Sequence, residues 1–203
     1  MQPFDDVDIN TFFTTSLAIP TRTIYVGSVD PTGGKNSGEE DPEPGTDFRM
    51  AERVIKAIHI LDSFNNEPIT IIMNNVGGDE YHGLGIFDAI KTAKSYTTIR
   101  VFGQAMSMGS IILQAANRRL LAPNATIMVH LGDTRLVIPT REMPQYAKET
   151  QRLNDLVDQI FLERIREKNA RYSLERVKEL QIVDRYLNAK ESVEIGLADG
   201  VIE

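Results

Sequence analysis

The chain has no cysteine among its 203 residues. Disulfide bridges and thiolate-held metal sites are therefore excluded. Histidine is scarce too. The three present, His59, His82 and His130, are spaced too widely to suggest a metal centre. Positive charge is not in excess, because 22 Lys and Arg stand against 29 Asp and Glu, a formal net charge of −7. An acidic chain with a pI near 5.1 is a poor match to nucleic acid. No apolar run approaches the ~20 residues of a membrane-crossing helix. The opening residues, Met1-Gln2-Pro3-Phe4-Asp5-Asp6, lack the basic and apolar regions of a secretory signal. These absences fit a cytoplasmic protein. Its length of 203 residues suits one domain, spanning 1–203, with a sizeable core.

What is present alternates strand and helix. A short amphipathic helix is predicted from Asp8 to Leu17, and a strand over Thr23-Ile24-Tyr25-Val26. The segment from Val29 to Asp47 is rich in glycine, proline and acidic residues and has no periodicity, so it reads as a polar surface loop. Phe48 to Phe64 carries an apolar stripe at helical spacing: Ala51, Val54, Ile55, Ile58, Leu61 and Phe64. A β-branched run from Ile69 to Asn74 reads as a buried strand, and Glu80 to Lys94 as a helix. Glu142 to Lys168 is predicted as a long helix, and Ser173 caps a short one through Glu179. Repeated strand–helix units point to an α/β fold with a mainly parallel sheet.

The chemistry concentrates in Gly103-Gln104-Ala105-Met106-Ser107-Met108-Gly109-Ser110. A predicted strand, Thr97 to Phe102, precedes it, and a predicted helix, Ser110 to Asn117, follows. A serine at a sharp strand-to-helix turn is held out with its hydroxyl exposed, and the next backbone N–H faces the same space. Upstream, the strand ending at Asn74 runs into Asn75-Val76-Gly77-Gly78, where paired glycines permit positive φ and close backbone approach. Downstream, the predicted strand Ala125 to Val129 ends in His130. In parallel sheets chemistry collects at the carboxyl ends of strands. A glycine pair, a serine and a histidine therefore converge, and these are the parts an activated nucleophile needs. His82 is a rival base, although it starts a helix rather than ending a strand. Ser110 is a rival nucleophile, although a hydroxyl one turn into a helix tends to bond the backbone.

The order Gly-Gly, Gly-Gln-Ala-x-Ser-Met-Gly, Met-x-His and Asp184-Arg185-Tyr186-Leu187-Asn188-Ala189 resembles the ClpP family, the proteolytic subunit of the ATP-dependent caseinolytic protease. The resemblance covers roughly residues 10 to 203 and treats 29–47 as an insertion. It implies a ClpP/crotonase-like fold and a serine endopeptidase with Ser107 as nucleophile, His130 as base and Asp184 orienting that base. Gly78 and Met108 would supply the oxyanion-hole N–H groups. No cofactor or metal is implied. The resemblance also implies peptide or unfolded polypeptide substrates, a homo-oligomeric heptameric ring, alone or stacked as a tetradecamer, and a Clp-type ATPase partner. Residues 131–168 would form the handle, with an edge strand before the long helix.

Departures from the family pattern bear on these expectations. Val76 stands where the family usually has proline, which is expected to loosen the oxyanion loop. Thr70-Ile71-Ile72 and Lys91-Thr92-Ala93-Lys94 lack the aromatics that line the family's ATPase-docking pockets, so docking should be weakened. Alternatives from other classes are a catalytically silent ring subunit and a crotonase-like acyl-CoA enzyme. Neither needs all three of Ser107, His130 and Asp184.

Overall fold

The computed structural model of the chain describes residues 6–27, 45–132 and 137–203. The expected polar loop at 29–47 lies outside the described residues as far as residue 44. Residues 133–136, inside the expected handle, also lie outside them.

The fold is mixed α/β around a mainly parallel sheet. Its helices are α1 (Asp6–Thr15), α2 (Phe48–Phe64), α3 (Glu80–Lys91), α4 (Met108–Leu113), α5 (Met143–Lys168), α6 (Leu174–Gln181) and α7 (Ala189–Ile195). The strands are β1 (Leu17–Ala18), β2 (Thr23–Gly27), β3 (Ile69–Asn75), β4 (Thr97–Met106), β5 (Arg118–Leu121), β6 (Thr126–Val129), β7 (Arg185–Asn188) and β8 (Gly200–Val201). They pair in the order β1-β2-β3-β4-β5-β8, and β6 joins β4 on one side and β7 on the other. Among the described residues, only the β1–β2 and β6–β7 pairings are antiparallel.

Local sequence explains these elements. Ile69, Ile71, Met73 and Asn75 of β3 are buried at a period of two, as a strand packed on one face requires. On α2, Met50, Ala51, Val54, Ala57, Ile58 and Leu61 are buried at helical spacing, and Asp47 caps the first turn by accepting from Met50 N at 2.9 Å. The expected stripe holds except at its end, where Phe64 is exposed. Buried side chains of the sheet and its helices form one continuous cluster. A fully buried aliphatic side chain in such a cluster contributes about 1.5–3 kcal/mol.

β4 positions the site because it forks. Thr98 to Val101 pair with β5, and Gln104 to Met106 pair with β6. The β3–β4 register shifts between Met73 and Asn75, opposite the fork. Thus β3, β4 and β6 end side by side, each delivering a different group to one edge.

Some expectations need correction. Helix α4 begins at Met108 and ends at Leu113, earlier than predicted at both ends. Strand β5 lies where the predicted helix was followed by an unassigned segment, because Arg118-Arg119-Leu120-Leu121 lacks β-branched residues. In the expected handle, residues 131–132 and 137–139 form no strand, and a 3-10 turn at Thr140–Glu142 leads into α5.

Candidate active site

Ser107 sits between β4 and α4 with φ 50° and ψ −122°. That region is sparsely populated for a residue with a Cβ, and holding one there costs about 1–3 kcal/mol. Surrounding bonds fix it. Ser107 N–H donates to Met128 O of β6 at 2.9 Å, continuing the β4–β6 ladder by one step. The Ser110 hydroxyl donates to Ser107 O at 2.6 Å, which ties up that hydroxyl on the backbone. Ser110 is fully buried and does not line the cleft, so it is no rival to Ser107.

The β6–β7 pairing brings the next two groups together. Its antiparallel register runs from Thr126 opposite Asn188 to Val129 opposite Arg185. One further step places His130 opposite Asp184. His130 Nε2 lies 2.7 Å from Ser107 Oγ. On the other side of the ring, His130 Nδ1 lies 3.1 Å from Asp184 Oδ1. A hydroxyl, an imidazole and a carboxylate thus stand in a continuous line. His82 instead packs near the Phe48 ring, with centroids 6.3 Å apart, and His59 is exposed with Nδ1 2.8 Å from Ile55 O. Neither lines the cleft at Ser107.

The glycine pair closes the site from β3. A Cβ added at Gly77 would lie 2.6 Å from Ser107 Cβ, 2.8 Å from Met106 O and 3.0 Å from Met108 N. The loop and the serine turn therefore touch backbone to backbone, which only glycine allows. Gly78, at φ 141°, forms a parallel bridge with Thr46. That bridge uses Gly77 O, which accepts from Thr46 N–H at 2.5 Å, and Asp79 N–H, which donates to Thr46 O at 2.8 Å. The N–H of Gly78 itself is left outside the bridge.

Thr46 was not foreseen. It is buried, and its hydroxyl lies 3.2 Å from Asn75 Oδ1, which also accepts from Gly77 N–H at 2.7 Å. In place of the family's proline, this network braces the loop at Val76, contrary to the expected loosening. The last residues of the 29–47 segment are part of that brace. No signal within the segment marks them, since the contact spans 29 residues to Asn75.

Another unforeseen support lies under α4. Arg119, 2% exposed, donates from Nε to Asp199 Oδ2 at 3.2 Å, and its Nη2 also bonds Asp199 Oδ1. Arg119 Nη1 donates to Gln114 Oε1 at 2.7 Å and Gly196 O at 3.0 Å. Gln114 Nε2 donates in turn to Ser110 O at 2.9 Å. Burial alone would raise the Asp199 pKa, but hydrogen bonds and attraction from Arg119 outweigh it and lower it. Asp199-Gly200 is therefore more than the turn its sequence suggests.

Ser107 and His130 open into a cleft of about 550 Å³. Met108, Ile111, Val157 and Gln181 form its buried end, while Leu131 and Tyr146 form its rim. Two acidic residues, Asp79 and Glu80, line the side beside Gly78. Burial, with repulsion from Asp79 second, raises the Glu80 pKa.

Among the described residues no helix is long and apolar enough to cross a membrane. A family model for Clp proteases matches residues 44–203. The ATP-dependent Clp protease proteolytic subunit of Deinococcus radiodurans is 31% identical over 158 residues, covering 76% of this chain and 75% of the relative. Subunit 2 of the same protease from Pseudomonas aeruginosa is 30% identical over 160 residues, covering 78% and 77%. Subunit 1 from Chlamydia muridarum is 28% identical over 165 residues, covering 79% and 83%. The family match begins two residues before Thr46 and takes in both the glycine loop and the serine turn, so the sequence order and the strand-end geometry agree: the chain belongs to the Clp protease family.

Proposed function

We propose that the protein is a serine endopeptidase that hydrolyses peptide bonds at Ser107. The observation that carries this reading is the line of short contacts from Ser107 Oγ through His130 to Asp184, 2.7 and 3.1 Å long, opening into one cleft. Neutral His130 takes the hydroxyl proton at Nε2 as Oγ attacks the substrate carbonyl. The carbonyl π bond breaks and its oxygen becomes an oxyanion. The N–H groups of Gly78 and Met108 receive that charge, and they come from segments already packed against each other. His130 then gives its proton to the leaving amine, the C–N bond breaks, and an acyl ester remains on Ser107. Water then attacks the ester as His130 takes its proton, the acyl–Oγ bond breaks, and His130 returns that proton to Ser107 Oγ as the acid leaves. Asp184 accepts from His130 Nδ1–H, fixing the tautomer and stabilising the imidazolium. The whole cycle uses protein groups and water.

The chain order Ser, His, Asp separates this arrangement from the α/β-hydrolases, where the acid precedes the histidine. Presence of all three groups in line favours an active enzyme over a silent ring subunit or a crotonase-like acyl-CoA enzyme. Family membership supports the remaining parts of the reading: a homo-oligomeric ring enclosing the sites, unfolded polypeptide or peptide substrates, and a cytoplasmic setting. We read residues 1–203 as a single protease domain, with 131–168 as a handle and 29–47 as an inserted loop; the family match itself covers 44–203. A Clp-type ATPase belongs to this picture with weakened docking, as argued from the aromatic-poor strand and helix end.

The test is cleavage of small fluorogenic peptides. Ser107→Ala and His130→Ala should each remove activity by a factor on the order of 10⁶ or somewhat less, because such groups act as a unit. Near-normal activity in Ser107→Ala, or inactivation by His82→Ala alone, would overturn the assignment.

A further inference from the structure

Asp158 is a buried carboxylate that the reaction at Ser107 does not use. It is 3% exposed and stands among the buried residues of α5, next to Val157. Its Oδ1 accepts from Gln181 Nε2 at 2.7 Å, and the half-exposed Lys178 places Nζ 3.8 Å from its Oδ2. A buried carboxylate with a partner of that kind brings little net stability over an apolar residue, so stability alone is a poor account of it. What the carboxylate fixes is Gln181, the last residue of α6, itself buried. Gln181 Nε2 also donates to Val177 O at 3.3 Å, but that bond stays one turn back in α6, whereas the bond to Asp158 crosses to α5.

The backbone of Gln181 brackets the His130–Asp184 pair. The β6–β7 ladder stops at Val129 and Arg185, one residue short of each group. On the far side, Leu131 N–H donates to Gln181 O at 3.1 Å. The pair is thus held between the end of a ladder and one backbone bond. Packing gives Asp184 little further support, because residues 182–186 are all exposed. The buried residues that flank this stretch are Gln181 before it and Leu187 after it. Gln181 is therefore the anchor from which the chain runs, in three residues, to the carboxylate that meets His130 Nδ1 at 3.1 Å.

We infer that Asp158 is a positioning residue for the reaction: through Gln181 it holds the exposed stretch that presents Asp184 to His130. The inference rests on the serine-peptidase reading of the site. Asp158 touches no substrate and moves no proton in it. Its loss should act on the chemical step more than on binding, because the nucleophile turn and the glycine loop hang on other bonds.

The test compares Asp158→Leu, which removes the acceptor, with Asp158→Asn, whose amide oxygen still accepts from Gln181. Cleavage of a short fluorogenic peptide is followed well below each variant's melting temperature. A shift of about 1 Å at a reacting centre costs on the order of 100-fold, so a loosened Asp184 should lower kcat about tenfold in Asp158→Leu. KM should change by less than about twofold, and Asp158→Asn should recover most of kcat. An Asp184→Ala background separates positioning from a merely structural role, with fluorophosphonate labelling of Ser107 as the rate. There Asp158→Leu should change the rate by less than about twofold, since the group it positions is gone, whereas a structural defect would persist. Wild-type kcat in Asp158→Leu, or a loss of the same size without Asp184, overturns the inference and leaves the peptidase reading standing. If Asp158→Leu does not fold, Gln181→Met, which keeps the side-chain length and loses the amide, carries the same expectations and the same refutations. If wild-type protein neither cleaves peptide nor labels at Ser107, the peptidase reading falls instead. A crystal structure of the variant then decides the positioning: a His130–Asp184 contact lengthened beyond hydrogen-bond reach supports it, and an unchanged 3.1 Å refutes it.

Discussion

Gly77→Ala is the substitution that most directly probes how the site is built. Gly77 sits at φ 102°, where a side chain is strained whatever the space around it. The added methyl would also lie 2.6 Å from Ser107 Cβ and 2.8 Å from Met106 O. Both neighbours belong to the tight serine turn, so neither rotates away, and the loop or the turn must shift. The backbone strain costs about 1–3 kcal/mol. Overpacking adds about 1–3 kcal/mol more. At about 2–4 °C per kcal/mol for a chain of this size, the melting temperature should drop by roughly 5–20 °C. Function should suffer further, because a shift of about 1 Å at a reacting centre costs on the order of 100-fold. Differential scanning calorimetry and peptide cleavage below the lowered melting temperature measure the two effects separately. A variant with wild-type stability and rate would refute the close packing of the glycine loop on the serine turn.

Asp199→Ala should lower stability by about 3 kcal/mol, since it strands the buried Arg119 charge under α4. The wild-type contribution of Asp199, whose pKa is depressed, is present above its unfolded value and lost as pH falls below about 4. The mutant and wild-type melting temperatures should therefore converge in acid, and a constant gap down to pH 2 would argue against the pairing. Sedimentation should find a ring-sized homo-oligomer, and a stable active monomer at micromolar concentration would count against assembly. Short peptides should be cleaved without ATP, while a generic Clp-type unfoldase should stimulate degradation of a tagged folded substrate weakly or not at all. Robust ATP-dependent degradation would refute the docking argument and leave the serine chemistry untouched.

Much of this site was legible in the sequence because its parts lie at the ends of strong local signals. The β-branched run at Ile69 to Asn74 and the short run ending at Val129 announce their strands, and the strand ends then deliver Gly77-Gly78 and His130. Ser107 is marked by its glycine-flanked turn. Helix α2 appears with the expected bounds because its apolar period and the Asp47 cap are both local. Asp184 was different: only the family resemblance singled it out, and its reason is the β6–β7 register, a contact across more than fifty residues. Thr46, Arg119 with Asp199, and Gln181 were not legible at all. Each acts through a partner far away in the chain, such as Asn75 at 29 residues or Asp199 at 80. Helix α4 began earlier than expected because the serine turn itself, rather than Ser110, starts it. Glu80 read simply as a helix start, since its place on the cleft is a property of the fold.

The central claim is that Ser107 is an activated nucleophile. A fluorophosphonate reacts with a serine whose proton is withdrawn by a neighbouring base, and mass spectrometry locates the adduct. Labelling should fall on Ser107 alone and vanish in Ser107→Ala. It should also slow sharply in His130→Ala, whose imidazole lies 2.7 Å from the hydroxyl. An adduct on another serine, or labelling of Ser107 at an undiminished rate without His130, would contradict the account.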